Sequence, residues 1–163
     1  MKRIFSLLAL VALLCSLSAC RKATYSDLIP SERLGAELLE ALDADGDYLA
    51  AEDDALADYF TVPDFVTDHA VYFRSDRNNL DEFGIFHAED GRAEEMAALL
   101  SNYLDRSFAD NRAWYDSYIP AETPKLRDAE VRTYGNYAVY AILSREDRTR
   151  AFEALESALK IES

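Results

Sequence analysis

The chain has 163 residues, half of them hydrophobic, with 17 Lys and Arg against 31 Asp and Glu and a net charge of −14. That length and apolar content suit a single ordinary domain with a real core. The acidic excess argues against nucleic acid, whose binding needs a cationic surface to displace counterions, and two cysteines leave no disulfide framework.

The chain opens with Lys2 and Arg3, followed by an almost purely apolar run from Ile4 to Leu17 that closes in Leu17-Ser18-Ala19-Cys20. This run is too short and wrongly flanked for an ordinary transmembrane helix. It resembles the lipobox of bacterial lipoproteins, in which the cysteine thiol is joined to diacylglycerol before the leader is cut away. Small residues at Ser18 and Ala19 suit an extended backbone in a peptidase cleft, and only Cys20 supplies the thioether. A plain secretory signal with an incidental cysteine is the alternative. Acyl burial is worth about 0.8 kcal/mol per methylene, so two chains hold a protein where one holds only marginally. Arg21 and Lys22 would add on the order of 1 kcal/mol each against anionic headgroups.

On this reading residues 1–19 are a signal peptide, 20–30 a tether and 31–163 one domain. Removing 19 of the 163 residues leaves 144 and takes Lys2 and Arg3 with it, so the charge moves from −14 to −16. Cys15 leaves with the leader and Cys20 is spent on lipid. The mature domain then has no thiol for catalysis, metal binding or a disulfide. Thirteen acidic residues and one basic residue, Arg33, lie between Asp27 and Asp68, so the acidity concentrates in the N-terminal third.

Ser31 is an expected N-cap, and Leu34, Leu38, Leu39 and Leu42 share one helical face. An aspartate turn, Asp43 to Asp47, precedes a second short helix expected near 51–60, with Leu56, Tyr59 and Phe60 inward, and stopped by Pro63. The period then changes to that of strands. His69, Val71 and Phe73 form one arm of a hairpin, and Phe83, Ile85 and His87 form the other. Asp90-Gly91 opens a long helix with Met96, Leu99, Leu100, Tyr103 and Ser107-Phe108 inward, its pattern lost near 111–118. A second hairpin pairs Val131 and Thr133 with Tyr137, Val139, Ala141 and Leu143 around Gly135-Asn136. Ser144 is placed to cap a last helix with Ala151, Phe152, Leu155 and Leu159 inward.

The expected fold is therefore α+β: a four-stranded antiparallel sheet from two hairpin–helix units, preceded by two short helices, with helices on one face. The other face would be wet or carry the acidic N-terminal helices. Three segments carry a resemblance: Asp81-Glu82-Phe83-Gly84-Ile85-Phe86, Tyr118-Ile119-Pro120-Ala121-Glu122 leading to Lys125-Leu126, and Tyr134-Gly135-Asn136-Tyr137-Ala138-Val139. Together they resemble the uncharacterised lipoprotein family filed as domain of unknown function 4358, common in Gram-positive bacteria, over roughly residues 30–160. The resemblance implies the anchor and the α+β fold and brings no activity.

Several side-chain groups are candidates for chemistry. Asp43, Asp45 and Asp47 occupy positions 1, 3 and 5 of a calcium-loop template with Asp54 at position 12, although Tyr48 stands where the loop needs glycine. The alternative is a solvated capping turn. Pairing Val71 with Ile85 and Phe73 with Phe83 would set His69 opposite His87, about 4.5–5.5 Å apart at Cβ. That leaves a partly buried pair or, with Asp68 or Glu89, a metal site. Trp114-Tyr115 with Tyr118 makes either an aromatic platform or a helix end sealing the core. There is no Gly-x-Ser-x-Gly elbow and no glycine-rich phosphate loop; abundant carboxylates keep a glycosidase-like pair open.

The sequence thus points to a lipid-anchored, extracytoplasmic, non-enzymatic binding or accessory module of the cell envelope, without cofactor. Its partners would be the membrane, through diacylglycerol on Cys20, and an unknown envelope protein or ligand. A solute- or cation-binding lipoprotein feeding a transporter is the alternative, and a small envelope hydrolase a third.

Overall fold

The computed structural model describes residues 24–44, 46–76 and 78–161. In chain order the elements are α1 (Ser31–Ala41), β1 (Tyr48–Ala50), α2 (Asp53–Ala57), β2 (Val66–Arg74), β3 (Glu82–Ala88), α3 (Ala93–Tyr118), α4 (Thr123–Arg127), β4 (Glu130–Tyr134), β5 (Tyr137–Ile142) and α5 (Arg145–Leu159). The mixed α+β class holds, but the sheet has five antiparallel strands in the order β1-β2-β3-β5-β4, one more than expected. The additional strand is β1, which pairs its three residues with Tyr72, Phe73 and Arg74 on the edge of β2. A segment this short beside an acidic turn carries no strand periodicity of its own. It is held from outside, by the Arg74 guanidinium 4.8 Å over the Tyr48 ring and paired with Asp47 at 2.5 Å.

Helices cover both faces of the sheet, and the helices of the two hairpin–helix units, α3 and α5, lie on opposite faces, not together as expected. The central strands are apolar on both sides: β5 is buried at every position, and β3 directs Phe83 and Ile85 one way and Phe86 and Ala88 the other. Such strands need two covers. On one face α1 and α5 bring Leu34, Leu38, Phe152 and Leu155 against Phe83, Ile85, Tyr137 and Val139. On the other, α2, α3 and α4 bring Leu56, Met96, Leu100 and Leu126 against Val71, Phe86 and Tyr140. Each such side chain gains about 1.5–3 kcal/mol on full burial.

Local signals behave unevenly. Ser144 caps α5 as expected, its Oγ accepting from the Asp147 N–H at 3.1 Å while donating to Asp147 Oδ2 at 2.7 Å. Ser31 does not cap α1; Pro30 holds that position, and the Ser31 N–H donates to Asp68 Oδ2 at 2.6 Å. A carboxylate from β2 therefore meets the positive end of the helix. Gly135 takes φ +60°, which makes the two-residue β4–β5 turn inexpensive. The second helix is shorter than expected, and α3 runs unbroken to Tyr118 with Leu99 36% exposed on its outer side. The last turns of α3 lack an apolar stripe because, Tyr115 apart, their side chains are exposed, and they are supported by pairs such as Arg112–Asp116.

Thr24 to Ile29 lie along the domain. Tyr25 bridges Lys160, Ile161 donates its N–H to the Thr24 carbonyl at 2.9 Å, and the Tyr25 ring stands edge-on to Tyr134. No helix among the described residues is long and apolar enough to cross a membrane.

Candidate functional site

At the end of the sheet where β2 finishes and β3 begins, a cleft of about 830 Å³ opens between the sheet and the second half of α3. Leu49, Phe73, Leu126 and Ile142 give it apolar walls; Tyr59, Tyr103 and Tyr115 add aromatic ones. Glu82, the first residue of β3, stands at its floor, on the same face as Gly84 and Phe86. Tyr140 of β5 donates its hydroxyl to Glu82 Oε1 at 2.5 Å, and Tyr103 of α3 donates to the same oxygen at 3.3 Å. Glu82 Oε2 accepts no hydrogen bond among the described residues and is not sealed within the protein, so it faces the cleft.

Gly84 makes this arrangement possible. The Tyr140 ring lies directly over it, where any Cβ would collide with Tyr140 Cε1. The ring thus reaches along the sheet to place its hydroxyl on Glu82. Burial raises the pKa of Glu82, an effect partly offset by the two tyrosine hydrogen bonds. Burial also raises Tyr103 and Tyr140, with the Glu82 charge adding to it, and pushes Tyr59 up to about 12. The tyrosines are therefore neutral donors, and Glu82 is a carboxyl group set where ionisation is costly.

Beside the cleft sits a buried ionic cluster. Lys125 of α4 lies 2.7 Å from Asp81 Oδ1 and 2.7 Å from Glu122 Oε2, and donates to Asn79 Oδ1 at 3.3 Å. Glu122 Oε2 also accepts the Leu80 N–H at 3.0 Å, and Arg74 approaches Asp81 at 3.6 Å. The Asp81–Phe86 and Tyr118–Leu126 segments, far apart in sequence, therefore meet through Asp81, Glu122 and Lys125. In the third segment Asn136 donates to Asp90 Oδ1 at 2.7 Å and accepts the Gly91 N–H at 3.4 Å, fastening the β4–β5 turn to the entry of α3.

The residues singled out in sequence do not assemble into a site. Cys20, with Arg21, Lys22 and Asp45, lies outside the described residues. Asp47 is paired with Arg74 and Asp43 lies 3.6 Å from Arg150, while Asp54 lies exposed on α2 beyond β1. The segment is thus a turn, a strand and a helix, not one continuous loop. The histidine pairing is overturned by register. Ala70 faces Ile85 and Tyr72 faces Phe83, with an irregularity between Val66 and Asp68, so His69 lies opposite Phe86 and His87 opposite Asp68. A one-residue slip sends every side chain to the other face, and the two imidazoles occupy opposite faces of the sheet. His69 stacks on Phe86 with centroids 5.7 Å apart and lies 3.2 Å from Asp53; His87 meets Thr67 Oγ1 at 2.9 Å and the Tyr137 ring at 4.5 Å. Asp68 is engaged by Ser31 and Glu89 lies 3.8 Å from Arg92. No group of three or more His, Cys, Asp or Glu among the described residues is placed to hold a metal.

The aromatic trio divides. Tyr115 packs into the core and lines the cleft, while Trp114 and Tyr118, 50% and 71% exposed, stack on each other at 5.1 Å outside it. Tyr59, expected inward on the second helix, lies just past its end, 44% exposed and lining the cleft; the sequence marks Tyr103 only as core, Glu82 only as part of a structural segment, and Tyr140 not at all. The one available signal was an acid on the inward side of an otherwise apolar strand, two residues before a glycine on the same side.

Fold and site together define an α+β domain with a single-sheet scaffold and a tyrosine-lined, carboxyl-floored cleft. A family profile described as Domain of unknown function (DUF4358) matches residues 41–143, and the chain belongs to that family. The match takes in all five strands and both sides of the cleft, but not α5 and almost none of α1. No curated protein and no solved structure matches the chain.

Proposed function

We propose that this protein is an extracytoplasmic lipoprotein, anchored through diacylglycerol on Cys20, whose domain captures a small ligand in the cleft above Glu82. The observation that carries the binding role is Glu82 itself: a buried carboxyl, held at one oxygen by two tyrosine hydroxyls, with its other oxygen turned to an aromatic cleft. Concave, mostly apolar sites with a few converging polar groups are how proteins hold small molecules. The anchor is read from the lipobox.

The geometry relating the two ends supports the same reading. Thr24 and Tyr25 lie against the β4–β5 turn and the end of α5, at the Tyr137 end of β5. The cleft touches Ile142, at the other end of that strand, about 17 Å away at the usual rise per residue. A lipid at Cys20 would lie only four residues from Thr24, so the cleft would open away from the membrane. A receptor delivering solute to a transporter would use the same orientation.

Two experiments test this. Cells fed a labelled fatty acid should label the wild-type protein and not Cys20→Ser; persistent labelling of the variant refutes the anchor. A thermal-shift screen of small polar solutes should yield ligands whose effect vanishes in Ser107→Trp, which plugs the α3 wall of the cleft. Ligands that stabilise both proteins equally bind elsewhere and refute the site.

A further inference from the structure

We propose that the ligand is a small organic cation, its ammonium group hydrogen-bonded to Glu82 Oε2 and its apolar body lying among the cleft tyrosines. This rests on the reading of the cleft as a capture site and specifies what it captures.

Ionised, Glu82 only accepts hydrogen bonds, so whatever satisfies the charged Oε2 must donate, and a cation is the ligand that favours this charged form over the protonated one that burial promotes. Oε1 is already served by Tyr103 and Tyr140, which leaves one acceptor for the ligand. Charge then separates the donors. An anion would bring a second negative charge against Glu82. A neutral alcohol would donate one hydrogen bond but leave the carboxylate's charge uncompensated where burial already disfavours it. An ammonium supplies donor and charge together, and charge-assisted bonds are about twice as strong as neutral ones. Among the described lining residues the charge points the same way: Arg74 and Asp81 are taken up by Asp47 and Lys125, which leaves Asp76, Glu82 and Asp110 facing Arg106.

The aromatic walls add to this preference. Tyr59 and Tyr103 lie with ring centroids 6.1 Å apart, both lining the cleft, and ring faces attract organic cations. A bare metal ion fits less well. Tyr59 and Tyr103 remain protonated and are poor ligands, and Glu82 is not part of any three-ligand group among the described residues.

The test uses three probes of one shape: benzylamine, benzyl alcohol and benzoate. Each is equilibrated by dialysis with the full chain in detergent, as wild type, Glu82→Gln and Ser107→Trp. The wild type should bind the amine about tenfold or more tightly than the alcohol, as expected for a hydrogen bond to a charged group, and benzoate least. Glu82→Gln should remove that preference, and Ser107→Trp should remove binding. If the alcohol binds as tightly as the amine and Ser107→Trp blocks both, the cleft captures ligands but the cation assignment is wrong. If the preference persists in Glu82→Gln, Glu82 is not its source and the proposal falls. If Ser107→Trp retains all three probes as the wild type does, both readings fall. The amine-to-alcohol ratio in the wild type decides the cation question even where a variant folds poorly.

Discussion

Replacing Gly84 with alanine should damage the protein through a single methyl group. An ideal Cβ at this position lies 3.0 Å from both Phe86 Cε2 and Tyr140 Cζ, and closer still to Tyr140 Cε1. Tyr140 and Phe86 are among the largest fully enclosed or nearly enclosed side chains, so neither can swing into solvent. Overpacking of this kind costs about 1–3 kcal/mol. Alanine returns about 0.4–1 kcal/mol by narrowing the unfolded ensemble. With both contacts at rigid rings, the upper part of the range applies, and a net loss of about 2 kcal/mol follows. For a domain this size, that lowers the thermal midpoint by roughly 4–8 °C. Urea unfolding should show a lower midpoint at unchanged slope. The cause is tested by repeating the substitution in a Tyr140→Leu background, where the ring is gone and the methyl fits. The unfolded-state gain is common to both backgrounds and cancels, so the cycle should return the clash itself, a coupling of about 2–3 kcal/mol. A Gly84→Ala protein within about 0.5 kcal/mol of wild type, or an equal cost in both backgrounds, would refute the close-approach argument.

The remaining predictions concern charge. Burial raises the Glu82 pKa above the ordinary 4.5, so the folded state holds this proton at a pH where the unfolded chain has lost it. The associated stability is present below the ordinary value and is lost as pH rises through the raised one. Glu82→Gln cannot ionise, and its stability advantage should widen between pH 4 and pH 8; parallel urea midpoints across that range would contradict this. Lys125→Met leaves Asp81 and Glu122 close together without their shared cation and should cost about 3 kcal/mol. Adding Asp81→Asn should recover part of the loss, and a Lys125→Met midpoint equal to wild type would dismiss the cluster as a support. Millimolar calcium should leave the melting midpoint where a matched salt leaves it, because Asp47 is held by Arg74 and Asp54 lies beyond β1. A rise specific to calcium would reinstate the aspartate turn as a site.

Much of the local structure was legible because local rules suffice for it. The apolar stripe of α1, the Ser144 cap, the Gly135 turn and both hairpins each depend on residues a few positions apart. The register of β2 on β3 does not. Val71 and Tyr72 are both buried, on opposite faces, and the same is true of Ile85 and Phe86. A strand apolar on both sides has no polar face to mark its phase, so alternation alone allowed two pairings one residue apart. The wrong one joined His69 to His87. Similarly, β1 is too short for any period and exists because the β2 edge and Arg74 recruit it.

By itself the sequence determined four of the five described helices, α4 (Thr123–Arg127) lying where only a connector was expected, together with the turns, the mixed α+β class and the residues on which the proposed anchor rests, since each is written in neighbouring positions. Tertiary structure decided which faces are covered, and it sent α3 and α5 to opposite sides of a sheet with two apolar faces. It also made the cleft. Glu82 and Tyr103 lie on consecutive elements, Tyr140 lies beyond two further elements and a turn along the chain, and no spacing rule connects the three. They meet because antiparallel pairing sets β5 beside β3, Gly84 admits the Tyr140 ring, and α3 crosses the same end of the sheet.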